Sequence, residues 1–194
     1  MLKKICVFLG SGKGFNPLYA ETAAHLGEVI AERKIKLIYG GARVGLMGIL
    51  ANSVLNNGGE VIGVMPKLLV DLEVAHEGLT EFHIVDSMHE RKALMEHLSD
   101  GFVAMPGGLG TFEEIFETIT LTQLNIHSKP CGFLNTCDFY SKLIDFIDHA
   151  VEEGFIQKEN RNMIQMAQTP ELLLDKMNSY KHVKIDKSKW ALKK

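Results

Sequence analysis

Short β-branched and apolar runs alternate along this chain with longer stretches of helical periodicity, and that alternation narrows its fold more than any other feature. Strands that alternate with helices build a parallel sheet covered by helices. Strands are predicted near Ile5–Leu9, Lys36–Tyr39, Val61–Val64, Phe82–Val85, Gly101–Met105 and Cys131–Leu134. Helices are predicted over Leu18–Arg33, Leu46–Asn57, Met88–Ser99, Phe112–Ile126 and Phe139–Glu153, with one or two shorter ones between Glu159 and Tyr180. Asn16-Pro17 offers a helix cap followed by proline at the first helical position. The expected class is α/β: three layers, with a mostly parallel central sheet between helices.

A chain of 194 residues suits one compact domain. No repeat, low-complexity block or linker divides it, so residues 1–180 are read as a single domain and residues 181–194 as a tail. That tail is lysine-rich with a lone Trp190, and reads as a solvated end that packs on a neighbouring subunit. A net charge of −3 gives no basic field for nucleic acid or a membrane surface. Cys6, Cys131 and Cys137 are odd in number, form no CxxC pair and read as reduced core thiols. The start, MLKKICVFLGSG, superficially resembles a signal peptide, but its apolar run is short and ends in glycine rather than at a cleavage site. No apolar stretch approaches the roughly 18 residues of a membrane span. A cytoplasmic protein is expected.

Three of the predicted strands run into glycine: Gly10-Ser11-Gly12-Lys13-Gly14, Gly40-Gly41-Ala42-Arg43-Val44-Gly45-Leu46-Met47-Gly48, and Pro106-Gly107-Gly108-Leu109-Gly110-Thr111. Glycine lets backbone N–H groups approach an anion, and the helix that follows points its positive end at the same place. Ligands of open α/β sheets bind beyond the carboxyl ends of strands. Ser11, Gly40, Gly41 and Gly45 are therefore phosphate-loop candidates, although the first loop reads equally as a plain tight turn. There is no GxGxxG fingerprint and no GxxxxGK followed by Ser or Thr. The three loops together point to a nucleotide-sized ligand.

Two helix starts carry charge. Ser87 and Glu90 have capping-box spacing, which reads as helix initiation, but Arg91 and Lys92 place two cations in a first turn where they oppose the helix dipole. Either an anionic ligand or a fixed salt bridge offsets that cost. Thr111 and Glu114 repeat the capping-box spacing, so Thr111 as cap is the simple reading of that pair. A carboxylate at the mouth of a phosphate loop is also placed to stabilise a ribosyl cation and orient water. The eight histidines include no HExxH or other metal-ligand spacing, and no GxSxG elbow is present. Neither a metal nor a cofactor is expected.

SMHERKALM at 87–95 and PGGLGTFEE at 106–114, preceded by YGGARVGLMG at 39–48, closely resemble the LOG (Lonely Guy) family of cytokinin riboside 5'-monophosphate phosphoribohydrolases. The similarity runs from the first strand to about residue 175. The resemblance implies a Rossmann-like fold, a homodimer with active sites near the subunit interface, and hydrolysis of an adenosine-type monophosphate to free base and ribose 5-phosphate. It makes Arg91 and Glu114 catalytic. It gives Lys92, Gly107, Gly108, Gly110, Thr111 and Glu113 to the phosphoribosyl site, with Glu73, Met88 and Thr120 as further substrate contacts. Ala42 departs from the pattern, since many members carry a third glycine there. Relatives often bear a lysine decarboxylase label, but that chemistry normally needs a Schiff-base lysine for pyridoxal phosphate, and the sequence points to none. An AMP nucleosidase and a non-catalytic nucleotide-binding module are the alternative readings.

Overall fold

The computed structural model describes residues 2–70 and 75–184. Seven strands form one sheet: β1 (Lys4–Phe8), β2 (Lys36–Tyr39), β3 (Val61–Pro66), β4 (Glu81–Val85), β5 (Gly101–Ala104), β6 (Cys131–Leu134) and β7 (Ile164–Ala167). Their order is β4-β3-β2-β1-β5-β6-β7, and every neighbouring pair is parallel. The sheet is thus wholly rather than mostly parallel, and it has one strand more than the sequence predicts. Helices are α1 (Leu18–Glu32), α2 (Gly45–Asn56), α3 (Lys67–Val70), α4 (Met88–Leu98), α5 (Leu109–Gln123), α6 (Ser141–Glu152), α7 (Lys158–Arg161) and α8 (Pro170–Ser179).

The central strands β1, β2, β3, β5 and β6 are almost entirely buried, as both faces of a parallel sheet require. One apolar cluster joins Ile5, Val7, Leu37, Tyr39 and Val103 to Leu26 and Ile30 of α1 and Leu50 of α2. The other joins Cys6, Phe8, Ile38, Val64, Phe102 and Phe133 to Met95 of α4, Ile115 of α5 and Ile144 of α6. Alternate residues of one strand thus feed opposite layers.

Two further expectations are corrected. Helix α5 begins at Leu109, with Gly108 before it in extended conformation, so Thr111 lies inside the first turn and is not a cap. Cys6 and Cys131 are buried, but Cys137 is exposed on a turn after β6, where its φ is +52°. Leu18–Glu32 does begin as anticipated: Pro17 already holds helical torsions, and Asn16 Oδ1 accepts the Leu18 N–H at 3.0 Å. Trp190 and the rest of the tail beyond residue 184 lie outside the described residues. Among the described residues no helix is long and apolar enough to cross a membrane.

Candidate active site

Strands β1 and β5 are neighbours, yet the chain leaves β1 towards β2 and leaves β5 towards β6. Their loops therefore part at the carboxyl edge and open a crevice, the usual ligand position in such sheets. The two loops are also tied together. Gly10 N–H donates to Pro106 O at 3.1 Å, and Leu46 N–H at the start of α2 donates to Gly10 O at 3.2 Å. A Cβ on Gly107 would come within 2.9 Å of Gly10 N, so this approach of backbone to backbone needs glycine.

The crevice is a cavity of about 270 Å³ whose lining includes Phe8, Ser11, Gly40, Met47, Arg91, Gly108, Gly110, Thr111 and Glu114. Helix α5 points its amino end into it. Phe112 N–H is the first to find an intrahelical acceptor, Gly108 O at 3.1 Å, which leaves the amides of Leu109, Gly110 and Thr111 without one of that kind. Those amides and the helix dipole favour an anion.

Arg91 enters from α4. Ser87 Oγ accepts the Glu90 N–H at 3.1 Å, and Glu90 Oε2 accepts the Asp86 N–H at 2.9 Å, so Ser87 and Glu90 do initiate the helix. One residue further on, Arg91 turns inward. Its Nε donates to Val64 O at 3.2 Å, its Nη1 stands 3.3 Å from Glu114 Oε1, and its Nη2 lies against Gly40. Arg91 is 8% and Glu114 9% exposed. Two distant helix starts, one cationic and one acidic, thus converge on one cavity. Each member of such a buried charge pair offsets part of the other's desolvation, and removing one strands the other. Beneath it, burial and the nearby Glu114 carboxylate push the Cys6 thiol well above its ordinary value, so it stays protonated.

Lys92 points elsewhere. It pairs with Glu113 and, at 3.1 Å, with Glu117. The hydrogen bond to Glu113, helped by Glu117, holds its ammonium above the ordinary lysine value. A second cavity of about 260 Å³ opens there between α4 and α5, lined by Lys92, Phe8, Phe102, Leu121 and Ile126 among others, and Glu114 lines it too. A third, of about 280 Å³, lies behind the glycine loops with Gly107, Lys13, Tyr19 and Phe139 in its wall.

Full-length sequence comparison decides the family. A cytokinin riboside 5'-monophosphate phosphoribohydrolase of Rhodococcoides fascians is 48% identical over 84% of this chain and 82% of its own length. The Arabidopsis thaliana enzyme of the same name, LOG1, is 45% identical over 98% of this chain and 91% of its own. This chain belongs to the LOG family. A family model described as "Possible lysine decarboxylase" matches residues 47–177, which span most of the LOG domain including α4 and α5. The molybdenum cofactor binding protein of Rippkaea orientalis shares the LOG fold with a TM-score of 0.70 at 22% identity, covering 92% of this chain and 97% of that one. The likeness is one of fold.

Of the positions that the LOG resemblance marks, the structure brings Arg91, Gly108, Gly110, Thr111 and Glu114 into one cavity, together with Ser11 and Gly40 from the glycine loops. Gly41 and Gly45 hold left-handed torsions at φ +84° and +58°, with Gly45 packed on the Ser11 carbonyl. Met88 is half exposed at the first turn of α4, with its sulfur 3.8 Å from Arg91 Nη1. Thr120 is exposed on α5 and donates its hydroxyl to Phe116 O at 2.7 Å. Glu73 lies outside the described residues. Met47 and the Val64 carbonyl were missed; Met47 stands in the first turn of α2, whose approach to the crevice the YGGARVG loop already signals. Among the described residues no three His, Cys, Asp or Glu gather to hold a metal.

Proposed function

We propose that this chain hydrolyses the N-glycosidic bond of adenosine-type nucleoside 5'-monophosphates, with N6-substituted, cytokinin-like nucleotides as preferred substrates. The products are the free base and ribose 5-phosphate. The observation that carries this reading is the buried Arg91–Glu114 pair beside the open amides of α5. The amides take the 5'-phosphate. Glu114 stabilises the positive charge that develops at C1' and accepts a proton from the attacking water; the bond from C1' to the base breaks, and the base leaves with the electron pair and gains a proton. Arg91 holds the substrate and keeps Glu114 oriented. Gly107 and Thr111 belong to the same cradle, and Lys92, Glu113, Met88 and Thr120 to its rim.

Among the described residues no lysine lines the cavity to serve as a Schiff-base partner for pyridoxal phosphate, which speaks against a decarboxylase. A pure binding module has no use for a carboxylate beside an anion, which favours the enzyme. The second cavity favours a substituted base over plain adenine, because Phe8, Phe102, Leu121 and Ile126 give it apolar wall next to Glu114.

A homodimer is part of this reading. Leu109, 85% exposed, and Ile126, 64% exposed, each border a cavity, and a second copy covering them would complete the site. Three unpaired cysteines suit a reducing compartment, and so a cytoplasmic enzyme. The test is incubation with AMP and with an N6-substituted AMP, with free base and ribose 5-phosphate as readouts. Faster release from the substituted nucleotide is expected. No release from either, with enzyme in excess over trace substrate, overturns the assignment.

A further inference from the structure

We infer that Tyr140 is a positioning residue for the reaction, its hydroxyl acting through the Met105 carbonyl to hold the glycine loop in the shape that grips the phosphate. The inference rests on the hydrolase reading given above. Tyr140 lies beyond the turn after β6, is 1% exposed and is not among the residues that line the cavity. Its Oη donates to Met105 O at 2.6 Å. Met105 is the last residue before Pro106, which has no N–H of its own and whose carbonyl accepts the Gly10 N–H at 3.1 Å. A strut therefore runs from the β6 turn, through the root of the β5 loop, to the β1 loop. Two of the three glycine loops that line the cavity are joined through it.

The same ring reaches α5. Phe112 meets Tyr140 edge to face, with centroids 6.2 Å apart, and Phe112 stands between Thr111 and the Glu113-Glu114 pair. Tyr140 is itself fixed from three sides: Phe133 at 4.7 Å, Phe139 at 4.9 Å, and Asn135 Oδ1, which accepts its backbone N–H at 2.7 Å. Asn135 is 2% exposed. Burial pushes the Tyr140 phenol well above its ordinary value, so the donor keeps its proton across the working pH range. A buried phenol needs an acceptor whatever its role, and here the acceptor is the carbonyl at the root of the β5 loop, so the bond that satisfies Tyr140 also fixes that loop.

The experiment is Tyr140→Phe, which keeps the ring and removes the donor. One hydrogen bond of this kind is worth about a two- to ten-fold effect. We expect KM for the nucleotide and the dissociation constant of ribose 5-phosphate, measured by calorimetry, to rise together by about five-fold, with kcat changed less than KM. Asn135→Ala retains the hydroxyl but frees the Tyr140 backbone, and should move both constants in the same direction; it carries the test if Tyr140→Phe does not fold. Unchanged KM and ribose 5-phosphate affinity, alongside a lowered Tm, would overturn the inference and leave Tyr140 a packing residue. Absence of turnover in the parent chain is a separate outcome that removes the hydrolase reading itself.

Discussion

The Arg91 guanidinium lies against Gly40, with its Nη2 in the space that a side chain at position 40 would fill. The YGG segment therefore supplies two things at once: backbone at the cavity wall, and room for the cation from α4. Gly40→Ala should displace Arg91 from Glu114 while the fold persists. A misplacement of about 1 Å in a catalytic constellation costs up to about 100-fold; a loss of kcat/KM between about 10- and 100-fold is expected, with an unchanged far-ultraviolet circular dichroism spectrum.

Glu114→Gln tests the carboxylate. The amide keeps the shape and retains an oxygen for Arg91, so the chain should fold, but it has no charge for the ribosyl cation and no basicity for water. Loss of a general base or charge stabiliser costs about 100- to 10,000-fold. Steady-state release of base measures it, and a rate within a few-fold of the parent would return Glu114 to a structural role.

Glu114→Ala separates stability from chemistry. It leaves Arg91 buried without its carboxylate partner, bonded to Val64 O and the Met88 sulfur, and an uncompensated buried charge costs about 3–5 kcal/mol. Both variants lose the countercharge, but glutamine keeps an oxygen for Arg91 and fills the space, so chemical denaturation should find Glu114→Ala below Glu114→Gln and both below the parent.

Ser87→Ala removes the cap that starts α4. About 1 kcal/mol of stability should be lost, and because Arg91 stands in the first turn, activity should fall as well. Denaturant midpoints and kcat/KM measured on one preparation check both.

A pH effect is expected far from the site. His25 on α1 meets Glu28 at 3.3 Å and Glu171 of α8 at 2.6 Å. Glu28 first, then Glu171, raises the His25 pKa above 6.5, while the backbone N–H of Glu171 and then His25 lower that of Glu171. A raised histidine value stabilises the fold below its unfolded pKa, and the gain is lost as pH rises through the folded one. The lowered Glu171 value stabilises above its own unfolded pKa and is lost on acidification. The difference in Tm between the parent and His25→Ala should therefore be largest below the ordinary histidine value of 6.5, while Glu171 is still ionised, and should shrink as pH rises through the raised His25 value.

Six strands were legible as compact apolar runs, five of them buried on both faces and the sixth, β4, a partly exposed edge strand whose Phe82, Ile84 and Val85 mark it. β7 was not: Ile164-Gln165-Met166-Ala167 contains one β-branched residue and lies at the sheet edge, where burial asks less of the sequence. The start of α5 was misplaced because Leu109-Gly110 reads as loop, whereas first-turn residues need no intrahelical acceptor and tolerate glycine there. Arg91 stood out by opposing a helix dipole, and the carboxylate that answers it proved to be Glu114. The pairing of Lys92 with Glu113 and Glu117 was invisible, since residues 21 and 25 positions apart meet only through the packing of α4 on α5.

Backbone amides carry no titratable proton. An anion held at the amino end of α5 thus feels the same donors in mild acid as in mild base, and its retention follows the ionisation of the ligand alone. Acid–base sensitivity of the reaction is left to the side chains that face the sugar, so binding and turnover are free to respond to pH independently.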